Sequence, residues 1–286
     1  MADTRLQIRA GLQNARALPA VPGVIQRLNR MADDGVTSIA ELAKVVATDQ
    51  VLSAKVLKLV NSPFYGLSHR VSSISSAMIM VGVNVVKGLA VSSAISSLME
   101  KGLTGLWQHS LGVAAAAAVI ARRVRMPDVE EVSTAGLLHD IGRSLIRQQT
   151  KDDFRLLVER VEHDGMSMLQ AEQELLDVDH AEVGGFLATA WNLPTTLIEP
   201  ITCHHDVTRS VEHRHRTAVV HLADVLVKAT GFGFSGDDLV PRIQPEAWER
   251  LGLNADALAG LVDELEEQLI ELENVTSEVE ETNGKP

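Results

Sequence analysis

The chain reads as an all-α protein. Apolar residues recur at helical spacing from end to end, no convincing run of period-two alternation interrupts them, and helix start and stop signals punctuate the pattern. The opening MADTRLQIRAGLQ sets Arg5 and Arg9 among apolar residues without a continuous hydrophobic stretch, which predicts an amphipathic first helix rather than a secretory leader. Ser38 and Glu41 form a capping box, after which Ile39, Leu42, Ala43 and Val46 share one face. The next helix runs from Asp49 through Val51, Leu52, Val56, Leu57 and Val60. It stops at Asn61 and Pro63, because proline lacks the amide and crowds the preceding turn. Further helices are predicted near 72–99, 106–125, 129–149, 152–162, 167–175, 180–191, 195–206, 213–230 and 254–272. The closing ENVTSEVEETNGKP is polar and acidic, so residues 274–286 are expected to be disordered.

With 286 residues, 45% of them hydrophobic, the chain can bury one large core or two small ones. Composition shifts around Gly102–Gly105: residues 72–98 are rich in Ser, Ala and Val with hardly a charge, and the histidines begin downstream. Two packed helical subdomains are expected, 1–101 and 102–273, held rigidly by a short connection. The net charge of −12 disfavours non-specific nucleic-acid binding, which depends on Lys and Arg displacing counterions. The densest basic patch, ARRVR at 121–125, reads as a solvated helix end. The longest apolar run, VAAAAAVIA, falls short of the roughly 20 residues of a membrane span, so no membrane role is expected. A single cysteine, Cys203, excludes an internal disulfide framework and suits a reducing, cytoplasmic setting.

Histidines and aspartates carry the chemical signal. They are His109, the pair His139 and Asp140 in GLLHDIGR, His180, the pair His204 and His205, and Asp224. Imidazoles and carboxylates converging from several helices are how an all-α fold can hold cations beside a phosphate ester. Asp140 beside His139 lies in an otherwise apolar segment (Ala135, Gly136, Leu137, Leu138, Ile141), where burial is costly unless charge is compensated, as a metal would do. Taken as neighbours on one helix, the two side chains diverge by about 100° in projection, so they share a cation only if it lies between their directions. His109 precedes them by one helix and a turn, and the alanine block 114–118 would let that helix pack closely. Asp224 sits mid-helix among apolar residues and needs a partner; His221, one turn earlier, is either a supporting donor or a surface residue. His69, His163, His213 and His215 have polar surroundings and read as surface positions. Imidazole and carboxylate donors suit iron, manganese or zinc better than magnesium, so one or two such divalent ions are expected.

This set resembles the HD superfamily of metal-dependent phosphohydrolases, whose signature is a histidine, a His-Asp pair and a distant aspartate. The match falls on His109, His139, Asp140 and Asp224. The histidines of HAEVGGFL and CHHD resemble the extra ligands of the HD-GYP branch, which hydrolyses cyclic dinucleotides; on that pattern His180, His204 and His205 complete a second metal position. The resemblance makes Asp140, bridging the cations, and Arg143, binding the substrate phosphate, the expected catalytic residues. There are departures. The chain reads HHDVTRSVEHRH where a GYP segment should follow, Arg143 replaces the usual lysine of HDIGK, and Asp206 follows the histidine pair where that branch has glutamate. Gly105 stands where three-metal members carry a glutamate, so no third metal is expected.

The segments LPAVPGVIQRL, VLSAKVLKLVNSPFYG and ISSAMIMVGVNVVKGLAV are similar to the HDOD domain, a bacterial signalling module related to HD hydrolases, and the similarity spans roughly residues 15–230. It implies a regulatory module with a signalling protein partner, which here keeps its histidine and aspartate centre. One alternative is an active phosphohydrolase with a nucleotide, cyclic dinucleotide or other phosphate ligand, and a further one is an iron-based redox or oxygen sensor. Phe64 and Tyr65 after the proline turn are expected either to plug the joint between subdomains or to face a partner.

Overall fold

The computed structural model describes residues 23–33, 37–62, 65–100 and 105–283. The expected first helix, Pro63, Phe64 and most of the connection around Gly102 lie outside the described residues. Among those described, helices follow one another without a strand. An N-terminal group comprises α1 (Gly23–Asp33), α2 (Ile39–Ala47), α3 (Gln50–Val60), α4 (Ile74–Val81) and α5 (Val83–Glu100). Then come α6 (Leu106–Arg123), α7 (Val129–Leu138), α8 (Ile141–Gln149), α9 (Lys151–Asp164), α10 (Met168–Leu176), α11 (His180–Ala190) and α12 (Thr195–Cys203). A short 3-10 turn leads to α13 (Arg214–Thr230), α14 (Pro245–Leu251) and α15 (Ala255–Asn283).

Local chemistry sets these boundaries. The Ser38–Glu41 capping box starts α2 as expected, and Asp49 caps α3 by accepting from the Leu52 amide. Asn61 ends α3, its side-chain amide donating to the carbonyls of Leu57 and Val71 while its oxygen accepts from the Val71 amide. The single helix expected over 72–99 is two, because Gly82 takes φ 93°, a left-handed value that side chains rarely adopt, and turns the chain between α4 and α5. The helix expected over 129–149 is also two, which meet at His139 and Asp140; Asp140 leaves the helical region with ψ 13°. Helix α14 was not expected, although Pro245 in its first turn and Gly252 just past its end mark it out. Helix α15 continues to Asn283, past the expected end at 272, so helix replaces the expected disorder as far as Asn283. Its Glu-rich sequence favours helix, and beyond Gly260 it contains no glycine or proline before Gly284.

The core centres on α6, whose residues from His109 to Ala121 are all buried. Helices α7, α13 and α15 all pack against it, α15 through Leu261, Leu265, Leu269 and Leu272. The alanine block permits the close approach expected of it: Ser133 of α7 donates its hydroxyl to the Ala114 carbonyl at 2.9 Å. The N-terminal group meets this layer through α5 on α7. There Tyr65 is 4% exposed, with its hydroxyl 3.0 Å from that of Thr134, as a plug of the joint should be. Burial pushes its phenol well above its ordinary value. Arg123 pairs with Glu264 at an exposed position, in keeping with a solvated helix end.

Candidate metal centre

The sequence-expected residues meet at one place. His109 comes from the first turn of α6, His139 and Asp140 from the α7–α8 joint, His180 from the start of α11, His204 and His205 from the end of α12, and Asp224 from the middle of α13. The joint brings His139 and Asp140 onto one side despite their adjacency in sequence, with His139 Nε2 3.5 Å from Asp140 Oδ2. The approach of α8 to α11 depends on Gly142, where an added Cβ would lie 2.0 Å from the His180 carbonyl oxygen. Only a residue without a side chain lets the two backbones come this close.

Two groups of donor atoms result. In the first, His109 Nε2 lies 3.1 Å from Asp224 Oδ1, and His139 Nε2 lies 3.8 Å from the same oxygen. In the second, Asp140 Oδ1 is 3.1 Å from His180 Nε2 and 3.9 Å from His204 Nε2, and His180 Nε2 is 2.7 Å from His205 Nε2. Within each group the donor atoms lie within 4.8 Å of one another, close enough to share an ion. Asp140 turns one oxygen toward each group.

Surrounding acceptors fix which ring nitrogen faces inward. His139 Nδ1 donates to the Gly136 carbonyl at 2.7 Å, His204 Nδ1 to that of Ile201 at 2.8 Å, and His180 Nδ1 to the Glu172 carboxylate at 2.5 Å. In all three Nε2 thereby faces the centre, and in His139 and His204 it does so with the lone pair that a metal ligand requires. His139 Nε2, His204 Nε2 and Asp140 Oδ1 are buried and accept no hydrogen bond. Buried polar atoms are rarely left unsatisfied, and three ligand-type atoms converging in this state fit a divalent metal.

Electrostatics agree with a site built to keep carboxylates charged and imidazoles neutral. Burial would raise the Asp140 carboxyl, yet Arg143, His139 and His180 hold it well below the usual range. Asp224 is likewise held low against burial by His109 and His139. Burial, with neighbouring histidines, pushes His204 down to about 3 and His205 well down. His180 is the exception: burial and Arg143 lower it, but Glu172 and Asp140 prevail and lift it to about 9.

Three further residues shape the centre. Glu172, which the sequence reading missed, is buried and accepts from both the backbone amide and Nδ1 of His180. Arg143 is buried, its Nε donating to Asp140 Oδ2 at 2.9 Å, its Nη2 3.2 Å from His180 Nε2 and its Nη1 3.8 Å from Glu172. His221 is a buried support rather than a surface residue: Nδ1 donates to the His204 carbonyl and Nε2 accepts from the Gln244 amide. His69, His163 and His215 are exposed as expected, and His213 is half-buried against Thr195.

Known proteins share this architecture. A crystal structure of an HDOD domain protein of unknown function from Geobacter sulfurreducens is 30% identical, with a TM-score of 0.68 over 95% of this chain and 96% of that one. A candidate phosphohydrolase from Shewanella amazonensis SB2B (24% identity, TM-score 0.67, 92% and 96% covered) and a candidate signal transduction protein from Marinobacter aquaeolei VT8 (22%, 0.70, 91% and 59%) share the fold. An uncharacterised protein of Treponema pallidum (strain Nichols) is 24% identical over 199 residues, 68% of this chain but 39% of that protein's length. The HDOD domain family matches residues 18–207, which include everything from α1 to the histidine pair at His204 and His205, and the chain belongs to that family.

Proposed function

We propose that this chain is a signal-transduction module of the HDOD family that works through a divalent metal held by His109, His139, Asp140 and Asp224, with His180, His204 and His205 completing the centre. The observation that carries this reading is the set of buried, unsatisfied ligand atoms, His139 Nε2, His204 Nε2 and Asp140 Oδ1, in a pocket of otherwise fixed tautomers. A chain that had abandoned metal would gain by filling these positions with apolar side chains, because an unpaired buried polar group costs about 1–3 kcal/mol. No helix among the described residues is long and apolar enough to cross a membrane.

A bound divalent ion supplies Lewis acidity and lowers the pKa of a coordinated water. The protein's own residues favour a regulatory use over turnover. Arg143, the residue the HD resemblance would assign to substrate phosphate, is buried with its guanidinium on Asp140 and His180. His205 is the more accessible of the ligand-type residues, and the rest are buried. Iron, manganese and zinc all suit this donor set. Elemental analysis of purified protein beside an Asp140→Ala control tests the reading: metal bound by the wild type and lost in the variant is expected. Absence of metal from both, with none taken up on addition, would refute it.

A further inference from the structure

We propose that the cavity under the loop between α13 and α14 is a ligand site for an uncharged small molecule that joins a flat apolar body to a carbonyl-type acceptor. The inference goes beyond the metal-centre reading, because the cavity wall includes only one of the ligand-type residues, His109.

The loop is anchored at both ends of the cavity. On one side it lies on the first turn of α6: the Phe234 amide donates to the Gly105 carbonyl at 3.1 Å, and a Cβ on Gly233, which takes φ 70°, would lie 2.2 Å from the His109 backbone nitrogen. Glycine alone permits that approach. On the other side Asp237 accepts from the amides of Met168 and Leu239. The cavity that this loop lines has a volume of about 350 Å³, within the range of roughly 300–1,000 Å³ usual for small-molecule sites. Phe232 and Phe234 give it an aromatic wall, and Phe234 and Val240, 40% and 50% exposed, stand at its mouth.

Charge accounting selects the occupant. Lys228 and Asp237 pair in the wall at 3.1 Å with little exposure, so their charges cancel. On the His109 side, Asp140 and Asp224 already balance a divalent ion at the first donor group. A phosphate or carboxylate would therefore enter with no cation to spare, past the exposed carboxylate of Asp238, and an uncompensated buried charge is costly. A cation fares no better, because Asp237 already accepts from three N–H groups. What the wall still offers is donors. Lys228 gives one of its three ammonium hydrogens to Asp237, and the buried Ser235 hydroxyl has no partner. Buried hydroxyls are seldom left so. A carbonyl oxygen satisfies these donors without adding charge, while the two rings cover an apolar body.

The test is titration of the full chain, followed by calorimetry and ligand-observed nuclear magnetic resonance, with 3-phenylpropanamide and with 3-phenylpropanoate and 3-phenylpropylammonium, which share its body but carry a negative or a positive charge. The amide is expected to bind at least tenfold more tightly than either ion, a comparison that needs no variant. Ser235→Ala, which removes only the hydroxyl, is expected to weaken amide binding about fivefold, the worth of one neutral hydrogen bond. Val240→Trp adds bulk at an exposed position on the mouth and is expected to abolish binding. Either ion binding as tightly as the amide, amide binding that both folded variants leave unchanged, or no saturable binding of the amide would overturn the inference. Elemental analysis of the same preparation reads the metal-centre proposal separately, so either can fail while the other stands.

Discussion

The joint between α5 and α7 and the centre between α7 and α13 are both buried, and both contain polar groups, but they treat them differently. At the joint, polar side chains find partners across the contact: Tyr65 with Thr134, Lys87 with the Asn192 carbonyl, Asn84 with Glu131. In the centre, His139, Asp140 and His204 are held rigidly on one side and left unsatisfied on the other. Satisfied burial serves architecture, whereas convergent unsatisfied burial marks chemistry. The sharpest way to break this contrast is Asp140→Ala, which leaves the buried Arg143 without its main partner. We expect a loss of about 3–5 kcal/mol in denaturant unfolding of the metal-free protein. A metal-free variant as stable as wild type would mean that Arg143 gains nothing from Asp140.

Tyr65→Ala probes the other region. Removing a buried ring at the joint should cost about 3–5 kcal/mol, while bound metal per folded molecule stays at the wild-type value. Tyr65→Phe, which removes only the hydroxyl facing Thr134, should cost about 1 kcal/mol. A fall in metal content in either variant would show that the two regions are coupled. Gly142→Ala lies between the regions in effect. The added methyl meets the His180 carbonyl and the Gly184 amide, so a cost of about 1–3 kcal/mol or more is expected, together with weaker metal binding as α8 and α11 separate. Isothermal titration with Mn²⁺ reads the second effect.

Much of this was legible in the sequence, and the exceptions share a cause. Helices α2, α3 and α6 follow from caps and apolar spacing, and the ligand-type residues follow from charge placed in apolar segments, since both signals are local. The break at His139 and Asp140 is invisible to periodicity because Leu137, Leu138, Ile141 and Leu145 are buried on either side of it. Only the approach of α11 across Gly142 gives it meaning. Glu172 did leave a trace: it stands four residues after Met168 and four before Leu176, both buried, so an acid interrupts an apolar face. What it meets there, the imidazole of His180, comes from the following helix and could not be read from α10 alone. Arg143 was legible as a charge beside the His-Asp pair, but its direction, inward onto Asp140 and His180, depends on partners that arrive from α10 and α11.

The smallest expected effect concerns the rim of the joint, where Glu131 accepts from Arg216 of α13 and from Asn84 of α5. Burial pushes the Glu131 carboxyl up, but these hydrogen bonds outweigh it and its pKa is lowered on folding. A group depressed in the folded state contributes stability above its unfolded value, about 4.3 for glutamate, and loses it as pH falls through the folded value. Wild type should therefore exceed Glu131→Gln in stability at pH 7 by a few tenths to about 1 kcal/mol, since the pair is partly solvated. The difference should shrink below about pH 4.3, as the carboxylate is protonated. Denaturant midpoints of the two proteins between pH 3 and 7 test this. A gap that stays constant with pH would assign the effect to shape rather than charge, and would make the rim, like the rest of the joint, a matter of packing.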